Sequence, residues 1–474
     1  MKYMACLVML LLAFAACSPD SDASDPGSIT NKTYTLHFNL SPVSGSSASS
    51  RAETYTAGSP NTWEDGSKEE NMKSWTVVFV KSSDGTVAKV VKQPSVAEGK
   101  DKKDDVTVTG LEAGTTYTVY SFANISDADL GTITEGSSSP NFDSKSFAVN
   151  GNDWNIANGI PMSNKQEVTI RSDGQPNVKD LYVVRMLSKI TLKFRNMTGK
   201  DITVNEVSIS DITSNPATGT ENIMLLPKTS VSSANVAQAP NLVENAASGE
   251  FTHTISRGLT VANNTTYDTD NSRSVSFYVN ESQAGNVYPY FVVTLKTSVG
   301  SQRYFMYTDW NKIARNDHHV LKLALSDYKL RLKIEDFGSI GSTPSLKDDG
   351  KQLNLIFHDL EEFHIIPSVT KYSDPTGAEV SFMDLKWMKL SEPETDAETK
   401  AFSTIPKIVT GENRIEAATL GELGKKIGPI IYQLSVKVND ATDSPTLVYR
   451  VAISQDLTWY SARRHNGAFW ICKQ

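Results

Sequence analysis

Arg51 is the residue on which chemistry is most readily done. It is the only lysine or arginine between Lys32 and Lys68, and it follows the run Ser44-Gly45-Ser46-Ser47-Ala48-Ser49-Ser50. A stretch of small polar residues presents an extended, accessible backbone, which is what a protease requires of a substrate. A basic-specific protease would therefore find one bond here, between Arg51 and Ala52. Residues that perform chemistry do not converge anywhere. There is no Gly-rich phosphate loop, no His-Glu-x-x-His and no Gly-x-Ser-x-Gly, so no catalytic residue is assigned and no enzyme is expected. The seven histidines, His37, His253, His318, His319, His358, His364 and His465, include no pair with helical zinc spacing. His318 and His319 are adjacent, so on a strand they face opposite ways. All seven read as surface or half-buried side chains, with no metal ligand and no cofactor site among them. The acidic pairs Asp104-Asp105 and Glu361-Glu362 read as solvated charges.

The elements around Arg51 begin at the N-terminus. Lys2 precedes an apolar run from Ala5 to Ala16, too short to span a bilayer as a helix, and this reads as a secretory signal. Ala13-Phe14-Ala15-Ala16 followed by Cys17 resembles a bacterial lipobox, with Phe14 in the place of the usual Leu. The resemblance implies that the Cys17 sulfur is acylated, palmitate included, and becomes the new N-terminus. Two or more acyl chains anchor stably, at about 0.8 kcal/mol per buried methylene. Residues 18–33 open with Ser18-Pro19-Asp20-Ser21-Asp22-Ala23-Ser24-Asp25-Pro26-Gly27, which buries nothing and reads as a solvated tether. Its acidity resembles the surface-export signal of lipoproteins in anaerobic Gram-negative gut and oral bacteria.

At 474 residues the chain is long enough for two to four domains. Its net charge of −8 argues against nucleic acid as a partner. Of the three cysteines, Cys6 lies in the signal and Cys17 at the lipid site, so Cys472 stands alone and no disulfide framework is expected.

Helical periodicity is nearly absent, and apolar-polar alternation rich in β-branched and aromatic residues recurs instead. Tyr34, Leu36, Phe38 and Leu40 share one face of the first strand. Strands are expected over 74–80, 86–91, 183–185, 189–194, 201–209, 275–281, 288–297, 304–307, 319–324, 330–334, 353–357, 363–367, 430–438 and 446–454. Gly110-Leu111-Glu112-Ala113-Gly114-Thr115-Thr116-Tyr117-Thr118-Val119-Tyr120 is a sandwich-type turn with a tyrosine packed beneath it. Residues 100–105 read as a charged loop, 421–426 as a helical turn, and Asn222-Ile223-Met224-Leu225-Leu226-Pro227 as an apolar plug. The fold class is all-β, with domains expected over 34–180, 181–328 and 329–474 after the signal (1–17) and tether (18–33).

The first strand, Arg51-Ala52, Phe277-Tyr278-Val279-Asn280-Glu281 and Asp309-Trp310-Asn311…Arg315-Asn316 together resemble the fimbrillins, the type V pilins, over about residues 17–328. The resemblance implies tandem transthyretin-like or Ig-like Greek-key β-sandwiches, carried to the outer surface as an outer-membrane lipoprotein precursor. It implies that an Arg-specific protease cuts after Arg51, that the first strand leaves with its lipid, and that the vacated groove takes a strand from the next subunit. The partners are then other pilin subunits, in a fimbria used for adhesion. Residues 329–474 exceed the two-domain pattern and suit a tip or accessory subunit.

The residues make that route physically sensible. Losing Tyr34, Leu36, Phe38 and Leu40 removes about 6–12 kcal/mol of gross burial, against a whole-domain stability of about 5–15 kcal/mol. Phe469 to Cys472 reads either as a donor strand or as an aromatic plug on a third core. Two alternatives stay open: a lipid-retaining fimbrial anchor that keeps its first strand, and a surface glycan-binding lipoprotein using Trp63, Trp154 or Trp387 as sugar platforms.

Overall fold

The computed structural model describes residues 33–42, 70–96, 103–147, 159–173, 175–212, 223–233, 249–263, 265–266, 272–283, 290–299, 304–307, 312–336, 345–348, 352–358, 362–390, 407–409, 414–418, 426–438, 446–456, 458, 460–465 and 468–473. Strands dominate them, in three groups.

The first group comprises β1 (Thr33–Pro42), β2 (Trp75–Lys81), β3 (Val87–Gln93), β4 (Lys103–Glu112), β5 (Thr116–Ala123), one helical turn α1 (Asp127–Leu130), β6 (Ser146–Phe147), β7 (Met162–Thr169) and β8 (Asn177–Arg185). Seven of these strands form one sheet in the order β3-β2-β5-β7-β8-β1-β4. The sheet curls over a single core. Phe38 of β1 packs on Trp75 and Phe79 of β2, each at 6.2 Å between ring centroids. The corner is β8, whose residues 177–183 pair with β1 while Val184 and Arg185 pair with β7. β2 is buried on both faces. Val77 and Phe79 enter this core, and Val78 and Val80 enter a second cluster with Tyr120, Phe122, Phe142, Leu225 and Tyr278. A strand apolar on both sides is what sequence shows for an element sandwiched between two layers.

The second group comprises β9 (Leu187–Met197), β10 (Ile202–Ile212), β11 (Ile223–Met224), β12 (Gly249–Val261), β13 (Ser274–Asn280), β14 (Ser282–Gln283), β15 (Val292–Thr297), β16 (Tyr304–Tyr307), β17 (Lys312–Ile313) and β18 (His318–Ser326). The sheets β12-β10-β15-β16 and β13-β9-β18 face each other across a core that includes Leu192, Phe194, Val207, Phe251, Phe277 and Leu321. The third comprises β19 (Tyr328–Asp336), β20 (Ser345–Asp348), β21 (Leu353–Phe357), β22 (Glu362–Lys371), β23 (Asp384–Lys389), β24 (Lys407–Val409), β25 (Arg414–Ala418), β26 (Lys426–Lys437), β27 (Thr446–Asp456), β28 (Tyr460–His465) and β29 (Ala468–Lys473). Sheets β19-β22-β25-β24 and β20-β21-β27-β26-β23 enclose Leu330, Phe357, Ile365, Trp387, Leu434 and Ile453. β28 and β29 pair with each other as a hairpin.

The all-β class stands. The tyrosine under the turn is also present: Tyr117 is fully buried and its hydroxyl accepts from the Glu112 N–H at 2.9 Å. Gly110 and Gly114 take the positive φ the turn demands, 82° and 72°. Three expectations change. Residues 103–105 are strand, not loop, because β4 is recruited by β1. Trp387, with 8% exposure, fills the third core and offers no sugar platform. His319 and His364 are buried, not superficial. The 421–425 turn, Trp63 and Trp154 lie outside the described residues.

Tyr117→Phe removes the acceptor of the half-buried Glu112 N–H. It is expected to destabilise the first group by about 1–3 kcal/mol, read as a lowered urea midpoint at an unchanged slope for that transition.

Candidate functional site

β1 lies inside its sheet, not on its edge. It runs parallel to β8, from Leu36 opposite Asn177 to Pro42 opposite Val183, and antiparallel to β4, from Thr33 opposite Glu112 to Leu40 opposite Lys103. Alternation sets its two faces. Leu36, Phe38 and Leu40 point into the core with no exposure at all, and Tyr34 packs at its margin. The outer face is polar and bonded to both neighbours. His37 Nδ1 sits 2.8 Å from the Asp105 carboxylate on β4, and the Asn39 amide donates to Asp180 on β8 at 3.0 Å. The Asn39 side-chain oxygen, Oδ1, accepts from the Asp105 N–H at 3.0 Å.

β4 is the edge strand, and β1 is the strand it pairs with. Its register slips twice against β1, between Tyr34 and Leu36 and between Phe38 and Leu40. Each slip falls beside a positive-φ residue of β4, Gly110 (82°) and Asp105 (50°). Bulges of this kind bend an edge away from further pairing. The far end of β4 is held independently of β1, by Glu112 on Lys81 (2.7 Å) and on Tyr117. β1 has no hairpin to either neighbour. β8 and β4 are both distant in sequence, and the next strand in the chain, β2, sits on the opposite arm of the sheet.

The chain re-enters the described structure after β1 at Glu70, which is buried in the joint between the first and second groups. Lys189 Nζ is 2.7 Å from Glu70 Oε1, the Tyr278 hydroxyl donates to the same oxygen, and Arg185 donates to the Glu70 carbonyl at 3.2 and 3.3 Å. Arg185 also donates to the Asn316 side-chain carbonyl at 3.3 Å. Beside it lies a bidentate pair: Arg315 Nε on Glu281 Oε2 at 3.0 Å and Nη2 on Oε1 at 2.6 Å. The same guanidinium donates to the Met224 carbonyl at 2.9 Å and to the Leu225 carbonyl at 3.4 Å. Arg315 and Glu281 are almost wholly enclosed, at 1% and 0% exposure. Planar bidentate geometry with its remaining donors satisfied is the arrangement that makes so deep a charge pair tolerable.

The two motif segments around 277–281 and 315–316 therefore meet in space, which their spacing in the chain does not reveal. The apolar plug also finds its role: β11 pairs with β6, and Leu225 and Leu226 fill the joint cluster. Glu70, Lys189 and Arg185 were missed by sequence reasoning. Their signal, charged residues inside or beside strongly apolar strands, was present at Lys189 and Arg185. Cys17, Arg51, Ala52 and the Asp309-Trp310-Asn311 segment lie outside the described residues. Among the described residues no cluster of His, Cys, Asp and Glu is placed to hold a metal ion.

Residues 35–225 match the family model of the major fimbrial subunit protein (FimA). Over that span, which is less than half of the chain, the sequence is similar to the fimbrial subunit family. Among solved structures, the C-terminally truncated tip fimbrial protein Mfa3 of Porphyromonas gingivalis is 13% identical, covering 72% of this chain and 100% of its own, with a TM-score of 0.39. A fimbrial assembly protein of Parabacteroides distasonis is 13% identical, covering 68% of this chain and 99% of its own, with a TM-score of 0.34. No curated protein sequence matches the chain.

Two outcomes test the joint. Glu281→Ala leaves the Arg315 charge enclosed and is expected to cost about 3–5 kcal/mol, whereas Glu281→Leu combined with Arg315→Met restores most of the loss; denaturant titration of both variants reads this. The second concerns pH. Burial, with His318 beside it, pushes the His319 imidazole down to about 3, and the Asp317 carboxylate 3.9 Å away does not offset it. An unfolded histidine takes its proton near about pH 6.5, so below that value the unfolded chain binds more protons than the folded one. Stability is full above about pH 6.5 and declines as pH falls toward the folded value, by at most about 1.4 kcal/mol per unit. His319→Gln removes this contribution, so its unfolding midpoint should fall less steeply than wild type between about pH 6 and about pH 4.

Proposed function

We propose that this chain is the precursor of a surface fimbrial subunit, made competent to polymerise by removal of β1. One observation carries the reading: β1 is held between β8 and β4 by its own residues, without a hairpin to either, so it leaves without unravelling its neighbours. Its departure exposes the sites of Leu36, Phe38 and Leu40, about 5–9 kcal/mol of gross burial, and frees two rows of backbone groups. An extended strand from a second subunit satisfies both, which is β-augmentation in trans.

The arrangement after β1 supports this. Arg51 and Ala52 lie between Pro42, the last residue of β1, and Glu70, which is locked into the joint. A cut after Arg51 frees the strand on one side and leaves the body anchored on the other. Tyr34, Leu36, Phe38 and Leu40 are then the displaced side chains, and Cys17 the lipid site that leaves with them from an outer-membrane precursor. We assign three domains, with the first division at Met186, where β8 gives way to β9, and the second at Asp327, between β18 and β19. The third domain, beyond the segment matching the fimbrial model, suits a tip or accessory position and the adhesive contact of the fibre.

Treating the full-length chain with an Arg-specific protease is expected to give a product that begins at Ala52 and runs as a ladder on unboiled gels, while Arg51→Ala stays a single band. Trimmed protein that persists as a folded monomer rejects strand exchange. Surface-extracted protein that begins at lipidated Cys17 yet caps a fibre identifies an anchor instead.

A further inference from the structure

We propose that a polar cleft at the end of the first domain, between the β2–β3 turn and the 138–143 loop, binds a neutral sugar. The cleft has a volume of about 340 Å³, within the range of small-ligand sites. Nothing in the β1 slot or the buried joint uses it.

The loop that forms its rim is held in place before any ligand arrives. Ser139 N–H donates to the Gly85 carbonyl at 2.9 Å and Val87 N–H to the Ser137 carbonyl at 2.8 Å, with Thr86 and Ser138 bridging in between. Phe142, fully buried, pins the loop from below, 4.9 Å from the Tyr120 ring and 5.1 Å from Phe122. Glu135 adds a hydrogen bond to the Val90 N–H at 3.0 Å. A rim fixed in this way loses little conformational entropy on binding.

The chemistry of the wall selects the ligand class. Ser138 contributes an exposed hydroxyl, Ser82 and Ser139 contribute hydroxyl oxygens already engaged with Thr118 (3.0 Å) and the Pro140 carbonyl (3.0 Å), and Asn141 contributes an exposed amide that makes no capping bond to the turn that follows it. The larger charges are already paired. Lys81 is 2.7 Å from Glu112, and Asp143 takes Lys165 at 2.7 Å and the Tyr120 hydroxyl at 2.9 Å. Asp84 is kept ionised at the rim by the Thr86 N–H, which holds its carboxyl below the usual carboxylate range. A wall of short hydroxyls and an exposed amide, beside a solvent-facing carboxylate that already holds Thr86, matches a polyol. It offers no unpaired cation for a phosphate or a uronate. Pro140, half-buried on the cleft wall, supplies an apolar contact for the C–H face of a pyranose ring.

Saturation-transfer NMR on the full chain, with galactose, N-acetylglucosamine, glucuronate and inorganic phosphate as separate probes, tests this. The expected result is transfer to the ring protons of at least one neutral sugar, weakened at least about fivefold, roughly 1 kcal/mol, by Asn141→Ala and by Asp84→Ala. Because Asp84 also holds its own turn, Ser138→Trp is the control that fills the cleft from an exposed position; it should abolish transfer while the melting profile stays that of wild type. The proposal is overturned if neither neutral sugar binds, if only glucuronate or phosphate does, or if Ser138→Trp leaves transfer intact.

Discussion

The first domain depends on three side chains that its own sheet cannot replace. Leu36, Phe38 and Leu40 occupy the inner face of β1 with no exposure, and Phe38 closes the curled sheet by reaching Trp75 and Phe79 on the far arm. Without them β4 loses the strand it pairs with, and β8 loses its neighbour along 177–183. Strands normally enter such positions through hairpins, which make departure expensive because a neighbour must move as well. β1 is joined to neither neighbour by a hairpin, so in the proposed mechanism the closure of the core and the detachability of the piece that closes it reside in one segment.

In the proposed mechanism the body that surrenders a strand must be firm elsewhere, and buried ionic contacts join it to the second group. Glu70 ends the stretch that follows β1 in a buried contact with Lys189 and Tyr278, and Arg315 joins Glu281 to the carbonyls of Met224 and Leu225 a few residues away. Buried pairs of this kind are poor sources of net stability compared with apolar contacts, but breaking one partner is strongly destabilising, so they specify one geometry sharply. Here that geometry is the angle between successive sandwiches, set by residues that β1 does not touch. The second joint differs in character. Tyr290, Val292, Ile431 and Ala452 form an apolar patch, with the Arg450 guanidinium 4.6 Å from the Tyr290 ring.

Much of the fold was legible because alternation is a direct physical record of a half-buried strand. β1, β18 and β21 carry it in their burial, and the tyrosine beneath the Gly110–Gly114 turn is legible from its spacing. What failed to show had specific causes. β7 reads as polar because Ser163, Asn164 and Gln166 are buried and bonded: Asn164 exchanges two hydrogen bonds with the Val231 backbone, and Ser163 donates to the Leu225 carbonyl. A side-chain amide that imitates a strand partner erases the alternation that would reveal the strand. Lys103–Asp105 look like loop because three charges in a row do, yet Asp105 pairs with His37 and sits in a bulge. His319 was placed outside because histidines usually are; only the packing of β18 against β9 puts it inside. The charged joint could not be assembled on paper, since Glu70, Lys189, Glu281 and Arg315 come from segments with no local relation.

Two parallel strands show why, in the proposed mechanism, one is removable and the other is not. β8 and β9 follow each other in the chain with Met186 between them, and each carries a parallel neighbour, β1 on β8 and β18 on β9. Their pairing is alike, but their connections are opposite. β18 is fixed at its start by Asn316 N–H on the Leu187 carbonyl (2.9 Å) and by Lys189 N–H on the Asp317 carbonyl (2.8 Å), with Arg315 buried just before it. At its end it passes through Asp327 directly into β19 and the third core. Pulling β18 out would break the ionic joint and drag a domain with it. β1 makes the same kind of ladder with a polar outer face and an apolar inner one, and the next described residue after it is Glu70. Identical local pairing therefore gives a permanent strand in one sandwich and, in the proposed mechanism, an exchangeable one in the other; the difference lies in where the chain is tied down and not in the strength of the sheet.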